Sequence, residues 1–498
     1  MAQDKAASAL NRFGLGARPG ERQRIGEPRD WLLAQLRPEP IPAAFQGLPD
    51  SRDYLQREFA YSRERIAERR AQRASAGNDA ASTRTVAAMK PDDDGKDAVE
   101  KFKNGFRRTF GQDQLAELAA RYRNATTTDA GFRERLVHFW SNHFAISVDK
   151  RPAALYAAPM EREAIRPHVA GRFADMLLAA ETHPGMLRYL DNVQSVGEGS
   201  MFATRGARRQ RRRQGDGMPQ RKRGLNENLA REILELHTLG VEGGYTQADV
   251  TEFARAITGW GTPPVRDGRE DAASMQSAFV FRSGAHEPGA RSVLGKRYAE
   301  GGVEQGRAIL ADLARHPATA KHLSLKLARH FVADAPPPVL VERMAAAYLK
   351  SDGDLAVVYR TMIESDLGWG ADARKFKQPD DFIVSALRAG GIDAGAAPQQ
   401  TVGLLQRLGQ PPFTPRSPAG FADTAEDWAG ADALWKRVQV AQAVAQRVPR
   451  RDLDPLRVAQ DVFGNSLDPE TATALQRAES ERDGLALLFA TPAFQWRT

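Results

Sequence analysis

Phe132, Leu136, Trp140 and Phe144 recur at every fourth position, and this repeat constrains the chain more than any other feature of its sequence. At about 100° per residue the four side chains form one apolar stripe along a helix, which is stable only when packed against other helices. The same period returns in "GLNENLAREILELHTLG". There Leu229, Ala230, Ile233 and Leu236 share a face over about 226–239, and Gly240 supplies the stop. It returns again in "HPATAKHLSLKLARHFV", where Pro317 suits a first helical turn and Ala320, Leu323, Leu327 and Phe331 align. A shorter helix, "DKAASALNRFGLG", ends on Gly14 and Gly16.

One segment breaks the period. "SAFVFR" and "RSVLGKR" flank "SGAHEPGA" between Ser277 and Arg297, which predicts two short strands around a turn-rich loop. The expected fold is therefore mainly α: one large helical globular unit over 1–498, with one small β-hairpin element near residues 277–297. The charged and then small, polar stretch over 65–100 reads as a partly mobile insertion. After the proline-rich loop "LGQPPFTPRSPAGF", residues 423–498 read as a C-terminal helical subdomain. No internal repeat of fixed period is present.

With 498 residues, 42% hydrophobic and 27% charged, the chain can bury a large core and has the composition of an ordinary soluble protein. It lacks a run of about 18 apolar residues, so no transmembrane segment is expected. "MAQDKAASALNRFGLGARPGE" has no charged start, apolar stretch and cleavage site in series. Cytoplasmic residence is the expectation, with export only in company of a partner. Cysteine is absent, which excludes disulfides, thiolate metal sites and cysteine nucleophiles. A metal would have to use His, Asp, Glu or Asn.

The formal net charge of +8 has one source. Between Arg205 and Arg223 stand nine Lys or Arg residues and a single acid, Asp216, so the rest of the chain balances. Within the stretch 204–223, read as a mobile insertion, Arg208, Arg209, Arg211, Arg212, Arg213, Arg221, Lys222 and Arg223 could recruit an anionic polymer or acidic partner. Nucleic acid is disfavoured, because the loop holds no aromatic residue for base stacking.

The helical stripes also place the polar residues. His143 falls inside the Leu136–Trp140–Phe144 stripe, whereas His138 points the other way and is expected at the surface or at a partner. His237 lies on the apolar face of the 226–239 helix and Glu232 on its border. Burying a carboxylate is costly unless it is paired or binds a metal. "YLDNVQSVG" adds Asp191 and Asn192, residues that elsewhere cap backbone groups. In the functional reading His143, Asp191, Glu232 and His237 converge as a carboxylate–imidazole site. It could perform general acid–base work or hold a divalent metal ion through Asp191, Glu232 and His143. Asn192, Asn226, His286 and Glu287 are the candidate binding residues around it. The structural reading makes each a packed and hydrogen-bonded helix or turn residue. No HExxH, Walker A, GxSxG or GxGxxG motif occurs.

"RFGLGARPG", "RLVHFWSNHFAIS", "YLDNVQSVG", "GLNENLAREILELHTLGVEGGYTQADVTEFARAITGW", "HEPGARSVLG" and "HPATAKHLSLKLARHFV" together resemble domain-of-unknown-function family 1800, an uncharacterised bacterial family. The likeness continues through "KFKQPDDFIVSALRA" to "LLFATPAFQ". It implies one mostly helical unit and transfers no catalytic residue. It also implies a gene neighbour related to alkaline phosphatases and sulfatases, whose members bear twin-arginine export signals. The family often has histidine where Ser141 stands, which puts any third histidine there in doubt for this chain.

Three functions follow as expectations. The first is a hydrolytic, metal-assisted or acid–base enzyme acting on an envelope or secreted polymer. The second is a non-enzymatic helical scaffold or maturation partner of the phosphatase/sulfatase-like protein. The third is an anionic-polymer binder working through the Arg-rich loop.

Overall fold

The apolar stripes close over one another as their spacing requires. Phe132, Leu136, Trp140 and Phe144 are fully buried, as are Ala320, Leu323, Leu327 and Phe331. Each such side chain removed from water contributes about 1.5–3 kcal/mol for residues the size of Val, Leu or Phe. The computed structural model describes residues 4–79, 93–205, 224–263, 277–370, 373–449 and 454–497. Within these the chain is mainly helical.

The helices that matter for the site are α1 (Ser51–Asp79), α2 (Asp93–Thr127), α3 (Gly131–His143), α4 (Phe173–Thr182) and α5 (Asn228–Glu232). They are followed by α6 (Gln247–Ala256), α7 (Pro317–Phe331), α8 (Pro338–Lys350), α9 (Leu355–Glu364) and α10 (Pro379–Ala389). Near the C-terminus α11 (Ala431–Ala445) packs on α12 (Glu481–Ala490). Pro317 does occupy the first turn of α7, and Thr246 and Asp249 form a reciprocal capping box at the start of α6.

Two hydrophobic cores result. The larger gathers α3, α4, α5 and α6 with the successive helices α7, α8 and α9. The second joins Leu10 and Leu15 near the N-terminus, the end of α2 at Tyr122 and Ala125, and α10, α11 and α12. α11 and α12 thus share their core with the N-terminal segment and α10. A small third cluster holds Tyr54 and Leu55 of α1 against Phe110 of α2.

Strands are few and short. β1 (Trp260–Gly261) pairs antiparallel with β2 (Val280–Phe281), and β3 (Arg291–Val293) with β4 (Lys296–Tyr298). β5 (Lys375–Phe376) pairs with β6 (Trp496–Arg497), fastening the C-terminus ahead of α10. The two strands expected between 277 and 297 therefore exist but are not each other's partners. The turn at Leu294 and Gly295, both at positive φ, makes the hairpin from β3 and β4, and "SAFVFR" turns back onto Trp260 instead.

The helix expected over 226–239 is also modified. After α5 it widens into a π-helical turn, Ile233–His237, before Gly240 ends it at φ +84°. Much of the 65–100 stretch is helical, belonging to α1 and α2, while 80–92 lies outside the described residues. The Arg-rich run from 206 to 223 also lies outside them.

Candidate functional site

The seam between the two large cores is ionic. Arg135 of α3 is 1% exposed and pairs with Asp381 of α10, which also faces Arg497 of β6 at 3.6 Å. A guanidinium without water needs several acceptors, and Arg135 finds another in the Gly14 carbonyl at 2.5 Å. Glu134 accepts two hydrogen bonds from Arg166, at 2.5 and 2.9 Å. Arg135 and Asp381 also line a cavity of about 230 Å³.

The less buried side of α3 forms one wall. His138, Ser141 and Asn142 reach the cavity at helical spacings of three and four, and His143 lies at its inner end. His138 Nδ1 is 3.2 Å from Asp380 Oδ2, and its Nε2 is 3.5 Å from Glu134 Oε1. Tyr122 Oη donates to the other Asp380 oxygen at 2.9 Å. Burial and Arg121 push the His138 pKa down, but the hydrogen bonds to Asp380 and Glu134 outweigh them and raise it. The expectation of a surface or partner contact for His138 is thereby corrected: Glu134, one turn back on α3, and Asp380 from distant α10 claim its imidazole. Ser141 donates to Glu161 Oε2 at 2.9 Å, and Arg121 Nε donates to the same oxygen at 2.9 Å. Glu161 opens a second π-helical segment, Glu161–Ile165; such bulges are frequent at functional sites.

Helix α7 forms the facing wall with Lys326 and His330. His322, Lys326 and His330 follow one another at i, i+4 and i+8, beside the apolar face already described. Burial takes the Lys326 ammonium down to about 8, with Arg329 pushing the same way and Asp423 opposing. Lys326 has no hydrogen-bond or ion-pair partner among the described residues. Burial takes His330 to about 4, although its Nδ1 lies 3.4 Å from Asp423. The Asp423 carboxyl is itself held well below the ordinary range: burial opposes its ionisation, and His330 and Lys375 overcome it.

A proline-rich loop closes the third side. Asn142 clamps it, accepting from Phe421 N at 2.7 Å and donating to Phe421 O at 2.9 Å. Gly420 has φ +84°, and a Cβ there would stand 2.4 Å from the Asn142 carbonyl, so the loop can approach α3 only through glycine. Gln410 of the same loop accepts from Asp380 N at 2.8 Å, satisfying the first turn of α10.

The residues singled out from the sequence fall in three places. His143 and His237 do meet: His143 Nε2 lies 3.1 Å from the His237 carbonyl oxygen, and their rings are 5.9 Å apart. His322 joins them, 6.4 Å from His143. Burial, then Lys326, His237 and His322, hold the His143 pKa well below its ordinary value. His237 Nδ1 is 2.7 Å from Glu181 Oε1 of α4, and both side chains are fully buried. Glu232 is partly buried; burial raises its carboxyl, and His237 is close enough to oppose that. Among the described residues it makes no ion pair with arginine.

Asp191 stands apart from the cavity. It adopts φ +59° and pairs with Lys150 at 2.6 Å. Asn192 is buried and donates to the carbonyls of Ile257 and Trp260 at 3.2 and 3.1 Å. Asn226 donates through Nδ2 to Leu190 O at 3.3 Å, His286 Nδ1 meets Thr258 O at 3.1 Å, and Glu287 accepts from Gly199 N at 2.7 Å. These four tie loops together. Among the described residues no three His, Asp or Glu side chains are grouped to hold a metal ion, so the Asp191–Glu232–His143 set does not form a coordination sphere here.

Lys326, His330, Asp380 and Arg121 were not singled out by the sequence reading. "HLSLKLARH" carried a usable signal, three titratable residues on one helical face, and "QPDD" carried another, paired acids after a helix-starting proline.

Residues 8–496 match the family model described as "Protein of unknown function (DUF1800)". No curated protein and no solved structure matches the chain.

Proposed function

We propose that this chain, which belongs to the DUF1800 family, is an acid–base enzyme whose active site is the cavity between α3, α7 and α10. One observation carries the reading: Lys326, an ammonium without an ion partner among the described residues, shares a water-accessible cavity with an imidazole held by two carboxylates, His138. Burial moves the amine down and the carboxylates move the imidazole up, so both groups approach the pH at which a proton can be exchanged. In this reading the Lys326 ammonium gives a proton as acid and the His138 imidazole, whose carboxylate partners favour its charged form, takes one as base. Ser141 and Tyr122 supply hydroxyl groups beside them, each held by a carboxylate.

A cavity of about 230 Å³ suits a small substrate or the end of a chain better than the middle of a polymer. Competitive labelling of lysines with acetic anhydride across pH 6 to 11, read by peptide mass spectrometry, tests the reading. Lys326 should show an inflection near 8. An inflection at the value of surface lysines, about 10.4, would remove the tuned proton donor and the reading with it.

A further inference from the structure

A second, apolar cavity of about 150 Å³ lies behind the first. Leu118, Val148, Leu155, Ala157 and Pro159 line it. Its polar groups are already satisfied: Tyr54 Oη donates to Glu117 at 3.3 Å, and Arg162 donates to Glu117 at 2.7 Å. Pro412 and Phe413 belong to the walls of both cavities. One dipeptide of the proline-rich loop is therefore the partition between a polar space and an apolar one.

That partition is backbone-strained. Phe413 has φ +53°, in the left-handed region that a bulky residue rarely enters. Its carbonyl is held by Val148 N at 2.9 Å, and its ring lies 5.2 Å from the Arg121 guanidinium carbon. Strain of this kind persists only where surrounding contacts impose it, and it gathers at ligand clamps and switches.

On the polar side the charges do not all close on one another. Arg121 is taken by Glu161 and Arg135 by Asp381, while Asp380 and Asp423 face His138 and His330. Lys326 is left over among the described residues lining the cavity. Resting on the acid–base reading of this site, we infer that the substrate is an amphiphile. Its anionic head sits at Lys326 and its apolar chain passes Phe413 into the second cavity.

Binding an anion at Lys326 favours the ammonium, so a complex formed near pH 8 takes up a proton. The groups facing Lys326 are Asp423 of the loop, Arg329 and His322 of α7, and His143 of α3. Both histidines are neutral at that pH and do not contribute to the uptake.

Calorimetry with straight-chain fatty acids tests the proposal. Decanoate should bind saturably, and each methylene removed towards butanoate should weaken binding roughly fourfold. Decanol, which has the chain without the charge, should bind at least about tenfold more weakly than decanoate. Lys326→Met should lose about tenfold in decanoate affinity and abolish the proton uptake seen at pH 8 in buffers of different ionisation heat. Phe413→Ala, with the milder Phe413→Leu checked alongside for folding by its thermal melt, should move the preferred chain to longer acids. Affinity independent of chain length, an unmoved length preference in both Phe413 variants, or proton uptake retained in Lys326→Met would each overturn it. If decanoate fails to bind while Lys326 still titrates near 8, the amphiphile falls and the acid–base reading stands. If Lys326 titrates as a surface lysine, the acid–base reading falls whatever decanoate does.

Discussion

His138 and His143 stand five residues apart on α3 and end in opposite electrostatic surroundings. Both lie out of bulk water, so burial works against the charged form of each. Around His138 the neighbours are Asp380 and Glu134, and the net effect is a raised pKa. Around His143 they are Lys326, His237 and His322, with a single backbone carbonyl to accept a hydrogen bond, and the net effect is a strong lowering. Burial alone therefore does not decide what a histidine does in this protein; the sign of its neighbours does. One region of the seam is built to hold charge, and the other to keep an imidazole neutral.

The most forceful way to break that contrast is to remove a carboxylate from the charged region. Glu134→Ala takes both hydrogen-bonded carboxylate oxygens from buried Arg166, leaving it Glu161 at 3.7 Å, and takes one partner from His138. A loss of about 3–5 kcal/mol is expected, read from the urea midpoint. The His138 pKa, followed by NMR of its ring protons, should fall towards that of His143.

Acid sharpens the contrast with a smaller effect. For a histidine with a lowered folded pKa, the unfolded chain binds the proton first, so stability is lost as pH falls below about 6.5. His143, His322 and His330 are of this kind, the last two with values of about 4. Each can contribute up to about 1.4 kcal/mol of lost stability per pH unit. His138 has the reverse sign: its stabilisation is complete below the unfolded value and is lost as pH rises through its raised folded value. Thermal melts between pH 7 and 5 should show a marked fall, and His330→Asn should flatten it. A melting temperature unchanged by acid would contradict the neutral state of the His143 region.

The smallest effect is expected at Lys326. Its folded pKa is lowered, so below about 8 the protein carries the full cost of an ammonium with no ion partner among the described residues. Lys326→Met should stabilise the fold by about 1–2 kcal/mol at pH 7. The gain should shrink as pH rises from 8 towards 10, where the folded protein has already released that proton. A destabilised Lys326→Met at pH 7 would mean that the amine is paired in solution.

Much of the fold is legible along the chain because its causes are local. The Phe132–Phe144 stripe, the Pro317 start and the Gly240 stop all depend on residues within a turn or two of one another. The burial of His143 and its meeting with His237 follow from two such stripes facing the same core. The site is less legible because its partners are remote. Asp380 reaches His138 from another helix far along the chain, and Arg135 meets Asp381 at a comparable separation. No local period announces either pairing. The same holds for the π-helical turns at Glu161–Ile165 and Ile233–His237, where one extra residue per turn shifts every later side chain.

The sequence by itself determined that this chain is helical, cysteine-free and basic only through one stretch, and that His143 must face an interior. Those properties depend on composition and on a 3.6-residue period, which act before any two distant segments meet. Only the tertiary structure decided which charges close on each other across the seam. That decision left Lys326 without a partner among the described residues, placed Phe413 between two cavities and gave the two histidines of α3 opposite protonation preferences. Electrostatic pairing in a low-dielectric interior depends on a few ångströms of separation, and such distances exist only once the two cores have packed.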